Sequence, residues 1–299
     1  MFEFTGEPVR VAGIDENGYG PLLGPLVVTR VDLAVEGDPW YHLDLHRMAS
    51  QTAFRDSKEI FRRTLASYRT GEYLALGLLQ ALGVPVQGLH SLVQHLTGRP
   101  WTLLFHPCPA LAQFYPDLPL PAWLDHAPNP QSHPAPGCRL VGLRVDILTA
   151  PLLNQQVDHH GSKALVDFVA FLGLLRKGTA PELALLGKIG GTRRYSNWFQ
   201  KLQETVEVLQ ETRYHATYRW RGLRLHFLQN ADARWLPVAM ASVVGKYLRE
   251  LFLLSLSRAL GFSTPLPYAS GYAHDARSHE VASLLAQMGL PESCFRRKR

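Results

Sequence analysis

The chain has 299 residues, of which 46% are apolar and 19% charged. That is enough to build a full core, and it excludes a chain that is disordered throughout. Lys and Arg exceed Asp and Glu by 31 to 25, a net +6, which suits a polyanionic partner without establishing one. The three cysteines, Cys108, Cys138 and Cys294, are too few for a disulfide scaffold and show no zinc-ligand spacing. Residues 1–10 carry charges and no apolar h-region, and the apolar runs are too short to cross a bilayer, so a cytoplasmic protein with no membrane association is expected.

In chain order, residues 8–15 read as a β-branched strand ending at Asp15. A turn follows with Gly18, Gly20 and Gly24, then a second strand over 25–35, and the short connection predicts an antiparallel hairpin. Residues 56–71 have helical spacing of Ile60, Phe61, Leu65 and Tyr68, and 72–83 extend the helical region. From about residue 84 to 137 prolines cluster, which predicts an insertion, helical over 88–97 and otherwise irregular. A strand over 138–146, a helix over 162–177 and a short buried strand over 182–186 follow. Residues 195–206 read as helical, and 214–220 with 223–228 read as a hairpin turning at Arg221-Gly222. Pro237 opens a strong helix over 238–255. Short helices and the basic tail 296–299 complete the chain.

Asp15 and Glu16 are adjacent carboxylates at a strand end, a hard-oxygen pair suited to Mg²⁺ or Mn²⁺, although a solvated turn would look the same. The Gly18-Tyr19-Gly20 run lacks both the spacing and the following helix of a dinucleotide loop, but its amides could approach a phosphate. Asp56-Ser57-Lys58 could be a helix N-cap with a nearby lysine. Ser242, Lys246 and Glu250 share one helix face, which would fit a phosphate backbone or an ordinary polar stripe.

Together these segments resemble type 2 ribonuclease H (ribonuclease HII). The run Gly13-Ile-Asp-Glu-Asn-Gly-Tyr-Gly-Pro-Leu-Leu-Gly-Pro25 resembles the family's opening, in which a strand ends in Asp-Glu before Gly-Arg-Gly-Pro. Asp56-Ser57-Lys58 matches its Asp-Ser-Lys element. Asp232-Ala-Arg-Trp-Leu-Pro-Val-Ala-Met-Ala-Ser-Val-Val-Gly-Lys246 matches, without a gap, its Asp-Ser-Arg and the helix after it, and Gly271-Tyr272 matches a later Gly-Tyr. The resemblance implies an α/β, ribonuclease H-like fold: a mixed five-stranded sheet, three strands antiparallel and two parallel, flanked by helices. It implies a core over 1–255, with the Pro-rich insertion at about 84–137 and a hairpin insertion at about 206–222, then a C-terminal helical extension over 256–299.

The implied activity is metal-assisted cleavage of RNA in RNA–DNA hybrids, or at ribonucleotides embedded in DNA, by a protein acting as a monomer. Asp15, Glu16 and Asp232 would be catalytic and would hold Mg²⁺ or Mn²⁺. Gly18, Tyr19, Gly20, Ser57, Lys58, Lys188, Ser242 and Lys246 would contact nucleic acid, and Tyr272 would stack on a sugar. The sequence departs from the family at two points. The strand-end position of the fourth carboxylate is Gly187, followed by Lys188, and the Gly-Arg-Gly arginine is Tyr19. Either the protein binds duplexes without cleaving them, or another acid (Asp146 or Glu250) is recruited, or the Lys188 ammonium replaces one metal's charge. A small-molecule enzyme with a phosphate-binding glycine loop is a further alternative.

Elsewhere, His159-His160 reads as a pair at the start of a helix, and His274, Asp275 and His279 as a solvated loop. Tyr214, Tyr218 and Trp220, interleaved with Arg213, Arg219 and Arg221, could stack on single strands or form an exposed hairpin face. The tail 296–299 is expected to be a solvated end or a phosphate contact.

Overall fold

A computed structural model describes residues 7–298. Strands β1 (Val9–Asn17) and β2 (Leu26–Val35) form the expected antiparallel hairpin. Short helices α1 (Pro39–His42) and α2 (Ser57–Ile60) precede α3 (Leu65–Ala81). The continuous helix expected over 56–71 is broken, because Arg63 takes a positive φ and Thr64 starts α3 with a reciprocal capping box to Ser67. Helix α4 (Leu89–Thr97) lies in the Pro-rich segment, followed by 3-10 turns at Trp101–Phe105 and Pro109–Phe114.

Then come β3 (Cys138–Leu148), α5 (Ala150–His160), α6 (Lys163–Arg176), β4 (Leu183–Gly187) and α7 (Ser196–Lys201). Helix α5 was not legible in the sequence. His159 and His160 are its last residues rather than the start of a helix, and Gly161 caps it in the left-handed region. Strands β5 (Glu207–Glu211), β6 (His215–Trp220) and β7 (Leu223–Leu228) lead into α8 (Ala231–Arg234) and α9 (Leu236–Ala259). Helices α10 (Ala276–Gln287) and α11 (Glu292–Phe295) end the chain.

The sheet has seven strands, in the order β3-β2-β1-β4-β7-β6-β5, not five. The first five reproduce the expected pattern, since β1, β2 and β3 pair antiparallel while β4 and β7 run parallel to β1. The difference arises at the 214–228 hairpin, part of which was expected to be an insertion over about 206–222. Its second strand is a member of the central sheet, and β6 and β5 extend the edge beyond it. Local alternation predicts a strand but not its partner.

One face of the sheet packs against α9, α3 and the Pro-rich segment, and the other against α6 and α7. The Pro-rich segment is far from a loose loop. It buries Leu104, Phe105, Leu111, Phe114, Tyr115, Leu118 and Trp123 in the core. Glu72, fully buried on α3, accepts the backbone N–H groups of Ala122, Trp123 and Leu124 and the Tyr247 hydroxyl. A disulfide between Cys108 and Cys294 ties this segment to α11, a single cross-link that the cysteine count did not reveal. Among the described residues, no helix is long and apolar enough to cross a membrane.

His226, on β7, is buried beside His215 and Thr217, and its Nε2 has no partner within the protein. Burial, then the neighbouring His215, pulls its pKa down to about 4. The unfolded chain takes up this proton near pH 6.5 while the fold still refuses it, so the stability held above pH 6.5 is lost progressively towards pH 4. The expected loss is on the order of 2 kcal/mol. Urea midpoints at pH 7 and pH 4.5 measure it, and His226→Gln should flatten that difference.

Candidate functional site

Strand alternation sends Asp15 and Glu16 to opposite faces of β1. Ala12 and Ile14 belong to the core under α6, which places Glu16 on that side. Gly13 lies under the first turn of α9, which places Asp15 on the other. The parallel pairing of Ile14 with Leu186 puts Gly187 beside Asp15. A Cβ at Gly187 would stand 2.6 Å from Asp15 Oδ1 and 3.4 Å from Glu16 Oε2. The glycine therefore occupies the place that the fourth carboxylate was expected to take, and the Asp15 carboxylate would have to shift to admit a side chain there.

Asp15, Glu16, Asn17, Ser57, Lys58, Gly187, Lys188, Asp232 and Ser242 line one cavity of about 190 Å³. Asn17 was missed in the sequence reading. Its Nδ2 donates to Asp15 Oδ2 and Ser242 Oγ at 3.5 Å, and to the Glu16 carbonyl at 3.0 Å. Ser57 Oγ and Ser242 Oγ are 2.9 Å apart. Asp56 caps α2 by accepting the Lys58 N–H, which holds Lys58 at the rim. Asp232 sits in α8 just after Asn230, which adopts the left-handed conformation.

The acids are poorly solvated and repel one another. Burial and then the Asp232 charge push Asp15 up to about 8. Glu16 is held well above the usual carboxylate range by burial, then by Asp167 and Asp15. Asp232 is raised by burial and by Asp56. Burial alone would lower Lys58, but the charges of Asp56, Asp232 and Asp15 outweigh it and raise it. Glu16 Oε2 is buried with no hydrogen-bond partner. An anionic oxygen in that state needs a proton or a cation, and an all-oxygen donor set fits Mg²⁺ or Mn²⁺. Among the described residues, no three His, Cys, Asp or Glu side chains form a ready-made metal-ligating group.

Other expected residues are placed differently. Lys188 lines the cavity, but its ammonium donates to the Arg213 carbonyl at 2.5 Å, so it is not free to stand in for a metal charge. Lys246 is paired with Glu250 at 2.8 Å, and Glu250 also accepts from Tyr68 and lies 3.5 Å from Arg249. Glu250 is thus neutralised by its own neighbours. Asp146 pairs with Arg99 at 3.1 Å and lines a different cavity. Neither acid replaces the missing carboxylate.

Gly18 has a positive φ, and a Cβ there would meet Arg249 and the Pro25 carbonyl at 2.7 Å. Tyr19 turns towards α6, where Lys163 Nζ lies 4.9 Å from its ring centroid. The Tyr272 ring approaches Gly20, because Leu22 and Leu23 donate to the Gly271 carbonyl. Asp275 caps α10 and accepts from Ser270, while the His279 ring bonds the Ala273 carbonyl.

Tyr218 and Trp220 are core residues held by Glu211 and Glu204, so only Tyr214 of the interleaved aromatics is exposed. The tail is docked rather than solvated. Arg297 is 3% exposed and donates to the Tyr19 and Pro25 carbonyls, and Lys298 pairs with Asp158. Arg299 lies outside the described residues.

The acid that sequence reasoning missed is Asp167 on α6. It is fully buried, and neither carboxylate oxygen has a hydrogen-bond partner. One signal was available, since Asp167 is the single charge in the apolar run between Lys163 and Arg176.

Residues 201–298 match the family model described as Ribonuclease HII. The chain is also similar to a chain of the PCNA:RNase HII complex from Archaeoglobus fulgidus, with 18% identity, 97% of this chain and 95% of that one covered, and a TM-score of 0.50. Two further similar structures are the ribonuclease H2 from Pyrococcus horikoshii OT3 (16% identity, 95% and 91% covered, TM-score 0.46) and Bst-RNase HIII in complex with Mn²⁺ (15%, 98% and 67%, TM-score 0.43). No curated protein matches the sequence. The family match agrees with the resemblance carried by Asp232 to Lys246 and by Gly271-Tyr272, and the first of these structures shares the fold.

Proposed function

We propose that this chain, whose residues 201–298 match the Ribonuclease HII family model, is a metal-assisted endonuclease. Its substrate would be the RNA strand of RNA–DNA hybrids, or ribonucleotides embedded in DNA. The observation that carries this reading is that Asp15, Glu16 and Asp232, from two distant parts of the chain, line one cavity with Ser57, Lys58 and Ser242.

Asp15, Glu16 and Asp232 would hold the Mg²⁺ or Mn²⁺ ions, whose chemistry is to activate water and to stabilise the leaving 3′-oxygen. Lys58, raised by the acids around it, presents a fixed positive charge at the rim where a phosphate would enter. Asn17 and Ser242 orient Asp15, and Ser57 orients Ser242. Tyr272, whose ring lies beside Gly20, would stack on a sugar, and the 2′-hydroxyl is the group that distinguishes RNA.

The test uses Mg²⁺ or Mn²⁺ with three substrates: a DNA duplex carrying one ribonucleotide, an RNA–DNA hybrid, and an all-DNA duplex. Cleavage of the first two and not the third is the expected result. Gly187 favours a second reading, a protein that binds duplexes without cutting them. That reading gains if hybrid binding falls steeply with salt and no product forms. Affinity for a free nucleotide with none for duplexes would overturn both and leave a small-molecule enzyme.

A further inference from the structure

We propose that Asp167, on helix α6, supplies the carboxylate that Gly187 lacks, so that the divalent-cation site is completed from the opposite face of the sheet. The inference rests on the metal-dependent reading above.

The strand-end position offers no acid. A side chain there would begin 2.6 Å from Asp15 Oδ1, and Gly187 has none to offer. The anionic charge must come from elsewhere, and α6 carries an acid on the side that Glu16 faces. Lys163, one turn before Asp167 on the same helix face, lies against the Tyr19 ring, and Tyr19 follows Glu16 by three residues in the chain. The charges of Asp167 and Glu16 both act on Tyr19, so α6 brings its acid to the end of β1.

Asp167 is not accounted for as a structural residue. It is 0% exposed, it caps no helix, and both of its oxygens lack hydrogen-bond partners. Glu16 Oε2 is in the same condition. Buried carboxylates are normally paired or hydrogen-bonded, because leaving one unpartnered in the interior is costly. The charges of Arg297 and Lys163 act on Asp167, but neither side chain hydrogen-bonds it. Lys163 is directed at the Tyr19 ring, and Arg297 donates to the Tyr19 and Pro25 carbonyls. Glu16 and Asp167 are unpartnered acids on one side of β1, and Asp15 Oδ1 reaches the same strand end from the other side, beside the Gly187 position that Glu16 Oε2 also approaches; together they have the charge and the free oxygens that a hard divalent cation takes.

The test is calorimetric titration of the full chain with Mn²⁺ alone, comparing the parent with Asp167→Asn and Asp15→Asn, together with melting temperatures with and without Mn²⁺. Asp167→Asn is expected to weaken Mn²⁺ binding by about tenfold or more. Its melting temperature should rise less on adding Mn²⁺ than that of the parent. Asp167→Ser gives the same comparison if the amide does not fit.

If Asp167→Asn binds Mn²⁺ as tightly as the parent while Asp15→Asn does not, the role of Asp167 is overturned and the metal-dependent reading survives. If the parent does not bind Mn²⁺, both fall.

Discussion

Asp15→Asn is expected to lower cleavage of a ribonucleotide-containing duplex by on the order of 10³-fold, while hybrid binding at low salt changes little. A metal ligand shapes several kcal/mol of transition-state charge stabilisation, and each 1.36 kcal/mol is tenfold in rate. The substitution is nearly isosteric and keeps an oxygen for Asn17 and Ser242 to meet. It removes a carboxylate that burial and Asp232 already hold at high pKa, so the metal-free fold should not suffer. Single-turnover cleavage measured beside a binding isotherm separates the two effects. Equal loss of cleavage and binding would mean that Asp15 acts through duplex affinity rather than through the chemical step.

Gly13→Ala is expected to produce the largest loss of stability among single substitutions near the site. A Cβ at Gly13 would stand 2.2 Å from the Pro237 carbonyl carbon and 2.5 Å from Val238 N. These are backbone atoms of the first turn of α9, and they cannot rotate away as a side chain can. Ordinary overpacking costs about 1–3 kcal/mol, and a backbone collision should reach about 3 kcal/mol or more. The helix must lift from β1, which also separates Ser242 and Asp232 from Asp15.

Gly173→Ala, in α6 with open space around its Cβ position, is the matched control. It should stabilise by about 0.5–1 kcal/mol through helix propensity. Urea unfolding of both variants gives opposite shifts if close backbone packing at Gly13 is what seats α9. A Gly13→Ala protein as stable as the parent would show that α9 can move without cost.

Much of the frame is legible from local pattern. Strands β1 and β2 are β-branched, apolar runs on either side of a glycine-rich turn, β4 is a short apolar run, and α6 and α9 are long and bounded by a Ser cap and a proline. Turn chemistry and periodicity act within a few residues, so they survive in the sequence. The hairpin at 214–228 shows the limit. Its strands could be read, but β7 pairing with β4 could not, because pairing is a contact between segments far apart in the chain. The docked tail is a similar case. Arg296 to Arg299 has the composition of a solvated end, yet Arg297 is buried because Leu22, Tyr19 and Pro25 offer it carbonyls.

The candidate site divides in the same way. Asp15, Glu16 and Asp232, with Ser57, Lys58 and Ser242, could be nominated from motifs, since each sits in a short run whose residue types suit the chemistry. The absence of an acid at residue 187 was equally visible. Which of the other acids are already neutralised was not. Asp146 and Glu250 have plausible positions along the chain, but Arg99 neutralises the first, and Lys246 with Arg249 the second. Asp167 gives a weaker signal in the chain, yet both of its oxygens are buried without a hydrogen-bond partner.

The sequence by itself determined the kinds of groups available and the local elements that carry them, because propensity, capping and alternation are set by neighbours in the chain. Only the tertiary structure decided which of those groups are neutralised and which are left facing one another, because burial and charge pairing depend on the packing of helices α6 and α9 across opposite faces of one sheet.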